Sequence, residues 1–189
     1  MRKPAERRSS LWTSYARAID TGELRNGRCA GFGHPYKETS EVHILSTARS
    51  TPPLWTTRAF APVTPPICVL IVDDDGDVAD ALQAVLEAEG FTARTADSTA
   101  SLRLIGVWIP HVVVLDIEMP IQNGFDLSRS IRQIAHMRLV PIIAHTSLPE
   151  EDVMTEGVAA GMDAYCSKSN PPSVLLTLVR HMTPLLLGS

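Results

Sequence analysis

From residue 67 onward the chain alternates short apolar runs with stretches of helical period. Residues 67–72, Ile67-Cys68-Val69-Leu70-Ile71-Val72, are continuously apolar, with prolines before them and three acids after. That predicts a strand buried on both faces. Residues 77–89 set Val78, Ala81, Leu82, Val85 and Leu86 on one stripe and stop at Gly90, which predicts a helix. A short second strand is expected over 91–96. Ser98 is expected to cap a helix carrying Leu102, Ile105 and Val107 and ending before Pro110. Residues 112–115 read as a third buried strand, followed by an Asn123-Gly124 turn and a helix with Phe125, Leu127, Ile131 and Ile134 inward. Strand, helix, strand and helix then follow over 140–144, 149–160, 163–166 and 172–182. Five βα units joined by short connections predict an α/β domain, a parallel sheet covered on both faces. Right-handed crossovers place the C-terminal end of every strand on one edge.

Residues 1–66 show no comparable period. They contain seven of the fourteen prolines and ten Lys/Arg against five Asp/Glu, net +5, whereas residues 67–189 carry seven against sixteen, net −9. The expected organisation is a mostly disordered extension over 1–66, a domain over 67–184 and a short tail over 185–189. Within the extension Trp12 and Trp55 are candidate docking points, and one helix is conceivable over 9–20. Its Arg-rich, acid-poor start also fits a transit peptide, or a true start further downstream. The positive charge is diffuse and the body acidic, which disfavours nucleic acid as a partner. Cys29, Cys68 and Cys166 form no CxxC pair, and no stretch reaches the roughly 18 apolar residues of a membrane span. The expected setting is the cytoplasm.

The candidate chemistry lies on the common edge. Asp73, Asp74 and Asp75 follow the first strand, Asp116 the third, Thr146 with Ser147 the fourth, and Lys168 the fifth. Acids converging from two strand ends repel one another by several kcal/mol unless a cation sits among them. Mg²⁺ suits carboxylates that leave room for waters and phosphate oxygens. Carboxylates, a hydroxyl and one lysine together meet the needs of a phosphoryl group carried on a carboxylate. Taken singly, each residue has a plainer reading: an acid opening a turn, a capping hydroxyl, a surface lysine. Asp73-Asp74-Asp75-Gly76 also matches the Asp-x-Asp-Gly opening of haloacid-dehalogenase-type phosphatases, with Asp73 as nucleophile and Asp75 as acid. That chemistry needs a late acidic pair, and nothing acidic follows Lys168. An EF-hand loop starting at Asp73 would need glycine at its sixth place, where Val78 stands.

The same residues carry a family resemblance. Val69-Leu70-Ile71-Val72-Asp73-Asp74-Asp75, Val113-Val114-Leu115-Asp116-Ile117-Glu118-Met119-Pro120 with Asn123-Gly124, Pro141-Ile142-Ile143-Ala144-His145-Thr146-Ser147, and Gly161-Met162-Asp163-Ala164-Tyr165-Cys166-Ser167-Lys168 together resemble the receiver domain of two-component response regulators. Thr146 stands thirty residues after Asp116 and Lys168 fifty-two, as in that family. The resemblance implies a flavodoxin-like (βα)5 doubly wound sheet of strand order 2-1-3-4-5. It implies Asp116 as acceptor of a phosphoryl group from a histidine kinase or phosphotransfer protein. Mg²⁺ would be held by Asp73, Asp74, Asp116 and the backbone carbonyl of Glu118, with Lys168 on the phosphoryl oxygens. Thr146 and Tyr165 would act as the switch, presenting the signal on the fourth helix, fifth strand and fifth helix to a downstream protein or a second copy. The expectation is a stand-alone phosphoacceptor that catalyses its own phosphoryl transfer and loss. A receiver-fold interaction module that takes no phosphate is the alternative. Receivers usually carry a cis-proline after the lysine, but here Ser169 follows. A non-proline cis bond costs roughly 3–4 kcal/mol, so a trans bond is expected.

Overall fold

The computed structural model describes residues 53–186. The helix conceivable over 9–20, the docking role of Trp12, the nature of 1–52 and the last three residues lie outside them. The elements run β1 (Cys68–Val72), α1 (Gly76–Ala88), β2 (Thr92–Ala96), α2 (Ser98–Ile105), β3 (Val112–Leu115), α3 (Gly124–Gln133), β4 (Ile142–Thr146), α4 (Glu150–Ala159), β5 (Ala164–Ser167) and α5 (Pro172–Met182). The sheet order is β2-β1-β3-β4-β5 and every pairing is parallel. β1 and β3 are neighbours at the centre, with Val72 opposite Leu115.

The central strands are apolar throughout because helices cover both faces. Side chains alternate between those faces. Val69, Ile71, Val112 and Val114 join Leu82, Val85 and Leu86 of α1 and Leu175, Leu178 and Val179 of α5. Leu70, Val72, Val113 and Leu115 join Ile105 of α2, Leu127 and Ile131 of α3, and Val153 of α4. A one-residue slip of either strand would exchange these two sets, so the register is strongly held.

Local chemistry shifts two of the expected details. Asp97, not Ser98, caps α2: its carboxylate accepts from the Ala100 amide at 2.6 Å, and Ser98 is the first helical residue. A carboxylate there also opposes the positive end of the helix dipole. Val107 is no part of the apolar stripe. The helix ends at Ile105, the Val107 and Trp108 amides both bond back to the Leu104 carbonyl, and Val107 is turned out to 85% exposure. Trp108 packs in its place, with the Arg94 guanidinium 4.8 Å from its ring centre. β4 runs to Thr146, so that residue is the last of the strand and fully buried.

The outer edge of β5 is covered. Leu54 bridges Ala164 in antiparallel sense, and the Trp55 amide donates to the Asp163 carbonyl at 2.8 Å. The Asp163 carboxylate then accepts from Arg58, Arg132 and the Ile142 amide, at 2.7–2.9 Å. The segment continues past Phe60, edge-on to His181, to Val63, whose amide and carbonyl bond to Pro184 and Leu186. Residues 54–63 therefore pack on the domain although their sequence has no period.

Gly124 opens α3 directly against the end of β3. A Cβ there would fall on the Asp116 carbonyl oxygen and within 2.8 Å of the Ile117 Cα, both backbone atoms that cannot swing aside. Gly124→Ala should therefore lower unfolding stability by about 1–3 kcal/mol, the usual range for an overpacked site. Urea denaturation at neutral pH checks this, and an unchanged midpoint would contradict the contact.

Candidate functional site

Asp73 and Asp116 are the first residues beyond β1 and β3. Because those strands are paired at the point where the sheet reverses its winding, the two carboxylates emerge side by side at the position where open α/β sheets collect ligands. Both are buried, at 5% and 4% exposure, whereas Asp74 beside them is exposed. One carboxylate oxygen from each of Asp73, Asp74 and Asp116 lies within 4.8 Å of the others.

Lys168, in the turn after β5, reaches across to this pair. Its Nζ lies 2.8 Å from Asp73 Oδ2 and 2.9 Å from Asp116 Oδ2. The remaining oxygens accept backbone amides, Asp73 Oδ1 from Asp75 at 3.0 Å and Asp116 Oδ1 from Glu118 at 3.1 Å. Burial pushes the Asp73 carboxyl up to about 6; Lys168 opposes this and the neighbouring Asp116 charge adds to it. For Lys168, burial pulls the ammonium down, but the charges of Asp73 and Asp116 and its bonds to them more than offset this and hold it above its usual value. His145, buried on β4, is pushed down to about 3 by burial first and then by the Lys168 charge, so a neutral imidazole lies beneath the site. Nothing in the residue pattern singled out His145.

The expected site residues divide into those the fold brings to the acids and those turned elsewhere. Asp73, Asp74, Asp116 and Lys168 converge. Glu118 is at the rim, with its side chain exposed and its amide on Asp116. Thr146 is close by through its strand, since its carbonyl accepts from the Lys168 amide at 2.8 Å. Its hydroxyl, however, accepts from the Leu148 amide at 3.3 Å. Tyr165, on β5, donates its hydroxyl to the Leu148 carbonyl at 2.8 Å and stacks on Trp55. Asp75 caps α1, its Oδ1 accepting from the Asp77 and Val78 amides at 3.1 and 3.3 Å. The residue that a dehalogenase-type phosphatase would use as its acid thus serves as a helix cap here. The Lys168–Ser169 peptide is trans, and the loop is held instead by Ser167, whose Oγ lies 2.7 Å from Ser169 Oγ and accepts the Ser169 amide. The trans loop still delivers the lysine to both carboxylates.

An all-oxygen donor set with three acids and one ammonium leaves a net negative charge, which suits a hard divalent cation of the Mg²⁺ class. A cavity of about 370 Å³ lined by Pro65, Ile67, Phe91 and Arg180 lies at the other end of β1 and includes none of these residues. No helix among the described residues is long and apolar enough to cross a membrane.

Comparison with known proteins agrees with this geometry. Residues 69–180 match the response regulator receiver domain family. The chain is 35% identical over 113 residues to the DNA-binding response regulator MtrA of Mycolicibacterium paratuberculosis, covering 59% of this chain and 49% of that one. It is 29% identical over 119 residues to the response regulator Rre1 of Synechocystis, covering 62% and 52%. It thus spans about half the length of these relatives. The chemotaxis protein CheY4 of Vibrio cholerae superposes with a TM-score of 0.58 at 27% identity, covering 61% of this chain and 98% of that one. With the sheet order, the acid pair and the bridging lysine in place, this chain belongs to the response regulator receiver domain family.

Proposed function

We propose that Asp116 accepts a phosphoryl group from a phosphohistidine of a histidine kinase or phosphotransfer protein. The observation that carries this reading is the single ammonium shared by two buried carboxylates, Lys168 Nζ between Asp73 Oδ2 and Asp116 Oδ2. A carboxylate oxygen of Asp116 forms the new O–P bond as the N–P bond of the donor breaks, and the leaving imidazole takes up a proton. Lys168 is within reach of whatever occupies the space beside Asp116, so its charge meets the incoming phosphoryl oxygens. The Glu118 amide fixes the Asp116 carboxylate for attack.

Asp73, Asp74 and Asp116 with the Glu118 carbonyl would hold Mg²⁺, which when bound supplies positive charge to the phosphoryl oxygens. Thr146, whose hydroxyl now meets Leu148, would turn toward the phosphoryl group. Tyr165 shares Leu148 with it, so α4, β5 and α5 would present the change to a downstream protein or a second copy.

Incubation with Mg²⁺ and a small acyl phosphate or phosphoramidate should give a hydroxylamine-labile adduct that is absent in Asp116→Asn. Lys168→Ala should retain part of the uptake but lose the downstream response. Absence of labelling where a known receiver labels would contradict the proposal and leave an interaction module.

Proton and metal compete for the same carboxylate. With the Asp73 carboxyl pushed up to about 6, it is ionised above that pH and protonated below it. Mg²⁺ affinity should therefore be nearly level above pH 7 and fall by up to about tenfold per unit below pH 6. Titration calorimetry between pH 7.5 and 5 checks this, and a flat affinity would contradict it.

A further inference from the structure

The segment 54–63 is seated on α4 and the outer edge of β5, the region that the phosphoryl reading requires to move. Its anchor is Trp55. The indole stacks on Tyr165 with ring centres 5.9 Å apart and planes 21° off parallel, and its Nε1 donates to Glu150 Oε1 at 2.8 Å. The backbone is held as well, Leu54 bridging Ala164 and the Trp55 amide bonded to the Asp163 carbonyl. Three residues on, Arg58 forks onto Asp163 through Nε at 2.8 Å and a terminal nitrogen at 2.7 Å, while its other terminal nitrogen reaches the Leu139 carbonyl.

A second observation comes from the helix beneath. Gly157 lies inside α4, where glycine costs roughly 1 kcal/mol relative to alanine. A Cβ at that position would clash with the six-membered ring of Trp55. The missing Cβ thus leaves the room that the docked Trp55 occupies.

The contacts converge on Leu148 and Glu150, within four residues of the Thr146 hydroxyl. The Leu148 amide is bonded to Thr146 Oγ1, the Leu148 carbonyl to the Tyr165 hydroxyl, and Glu150 to the Trp55 indole. Trp55 therefore grips both Tyr165 and the start of α4 while the Thr146 hydroxyl is bonded to Leu148. If the hydroxyl swings to a phosphoryl group, Leu148 loses that acceptor and the platform under Trp55 shifts. If only the undocked form can accept the phosphoryl group, the rate of labelling scales with the undocked fraction, and phosphorylation draws the strap off in turn.

We propose that residues 54–63 are an intramolecular ligand of the α4 and β5-edge surface, anchored by Trp55 and Arg58, whose docking opposes phosphorylation of Asp116 and is released by it. The surface takes an extended strand with an aromatic residue in the Gly157–Tyr165 notch and an arginine on Asp163, and the occupant is the chain's own strap. This rests on the phosphoacceptor reading above.

The test uses the full chain, with Mg²⁺ and acetyl phosphate, and the initial rate of Asp116 labelling in wild type, Trp55→Ala and Gly157→Ala. Gly157→Ala crowds the docked indole while favouring the helix, so it guards against a variant that fails to fold. Both variants should label at least about fivefold faster than wild type, as a strap docked about four-fifths of the time or more requires. In the wild type under continued phosphorylation, the Trp55 amide should exchange with deuterium faster than in the unphosphorylated protein. Equal or slower labelling by both variants, or unchanged exchange at Trp55, overturns the proposal and leaves Asp116 as acceptor with a passive edge cover. Absence of labelling in all three proteins instead overturns the phosphoacceptor reading, and this inference falls with it.

Discussion

The Lys168 ammonium between Asp73 and Asp116 is the contact around which the edge of the sheet is arranged. Two carboxylates side by side, both nearly excluded from water, would repel strongly without it, and one would be forced to hold a proton. The ammonium makes that juxtaposition tolerable but does not relax it fully, since Asp73 still has its carboxyl pushed up to about 6. Breaking such a buried pair by removing one partner typically costs about 3–5 kcal/mol. A site with one positive and three negative side chains keeps a net negative charge, which under the proposed function Mg²⁺ would offset as the phosphoryl oxygens meet the lysine.

The fold supplies the precision this needs. β1 and β3 are paired from Val69 opposite Val112 to Val72 opposite Leu115, so the acids that follow them are fixed by the sheet's own register. β5 delivers the lysine from two strands away, and the Lys168 amide is tied to the Thr146 carbonyl. The usual proline is replaced by Ser169, yet the serine-bonded loop holds the lysine in reach of both carboxylates. At the outer edge the unpaired backbone of β5 is covered by Leu54 and Trp55, which shields an edge otherwise open to pairing with another chain.

Much of this architecture was legible in the residues. The apolar runs that became β1 and β3 are buried on both faces, and that burial forces continuous Val, Ile and Leu. The acids at their ends were legible because topology alone brings C-terminal strand ends to one edge. Details that depend on a distant partner were not. Val107 fits a helical period as well as its neighbours do, but Gly106 turns the chain and Trp108 finds Arg94 instead. The segment around Trp55 has no period at all, since an extended edge cover is defined by what it lies on, and Tyr165, Gly157 and Asp163 are about a hundred residues away. The direction of the Thr146 hydroxyl is likewise set by Leu148 and is invisible in the spacing that identified the residue.

The proposed chemistry requires Asp116 itself, and not the acid beside it, to take the phosphoryl group. An aspartyl phosphate is reduced by borohydride to homoserine, so treatment of the phosphorylated protein followed by peptide mass spectrometry reads the position directly. Homoserine is expected at residue 116 alone. Homoserine at 73, or none at all in protein that has taken up phosphate, would contradict it.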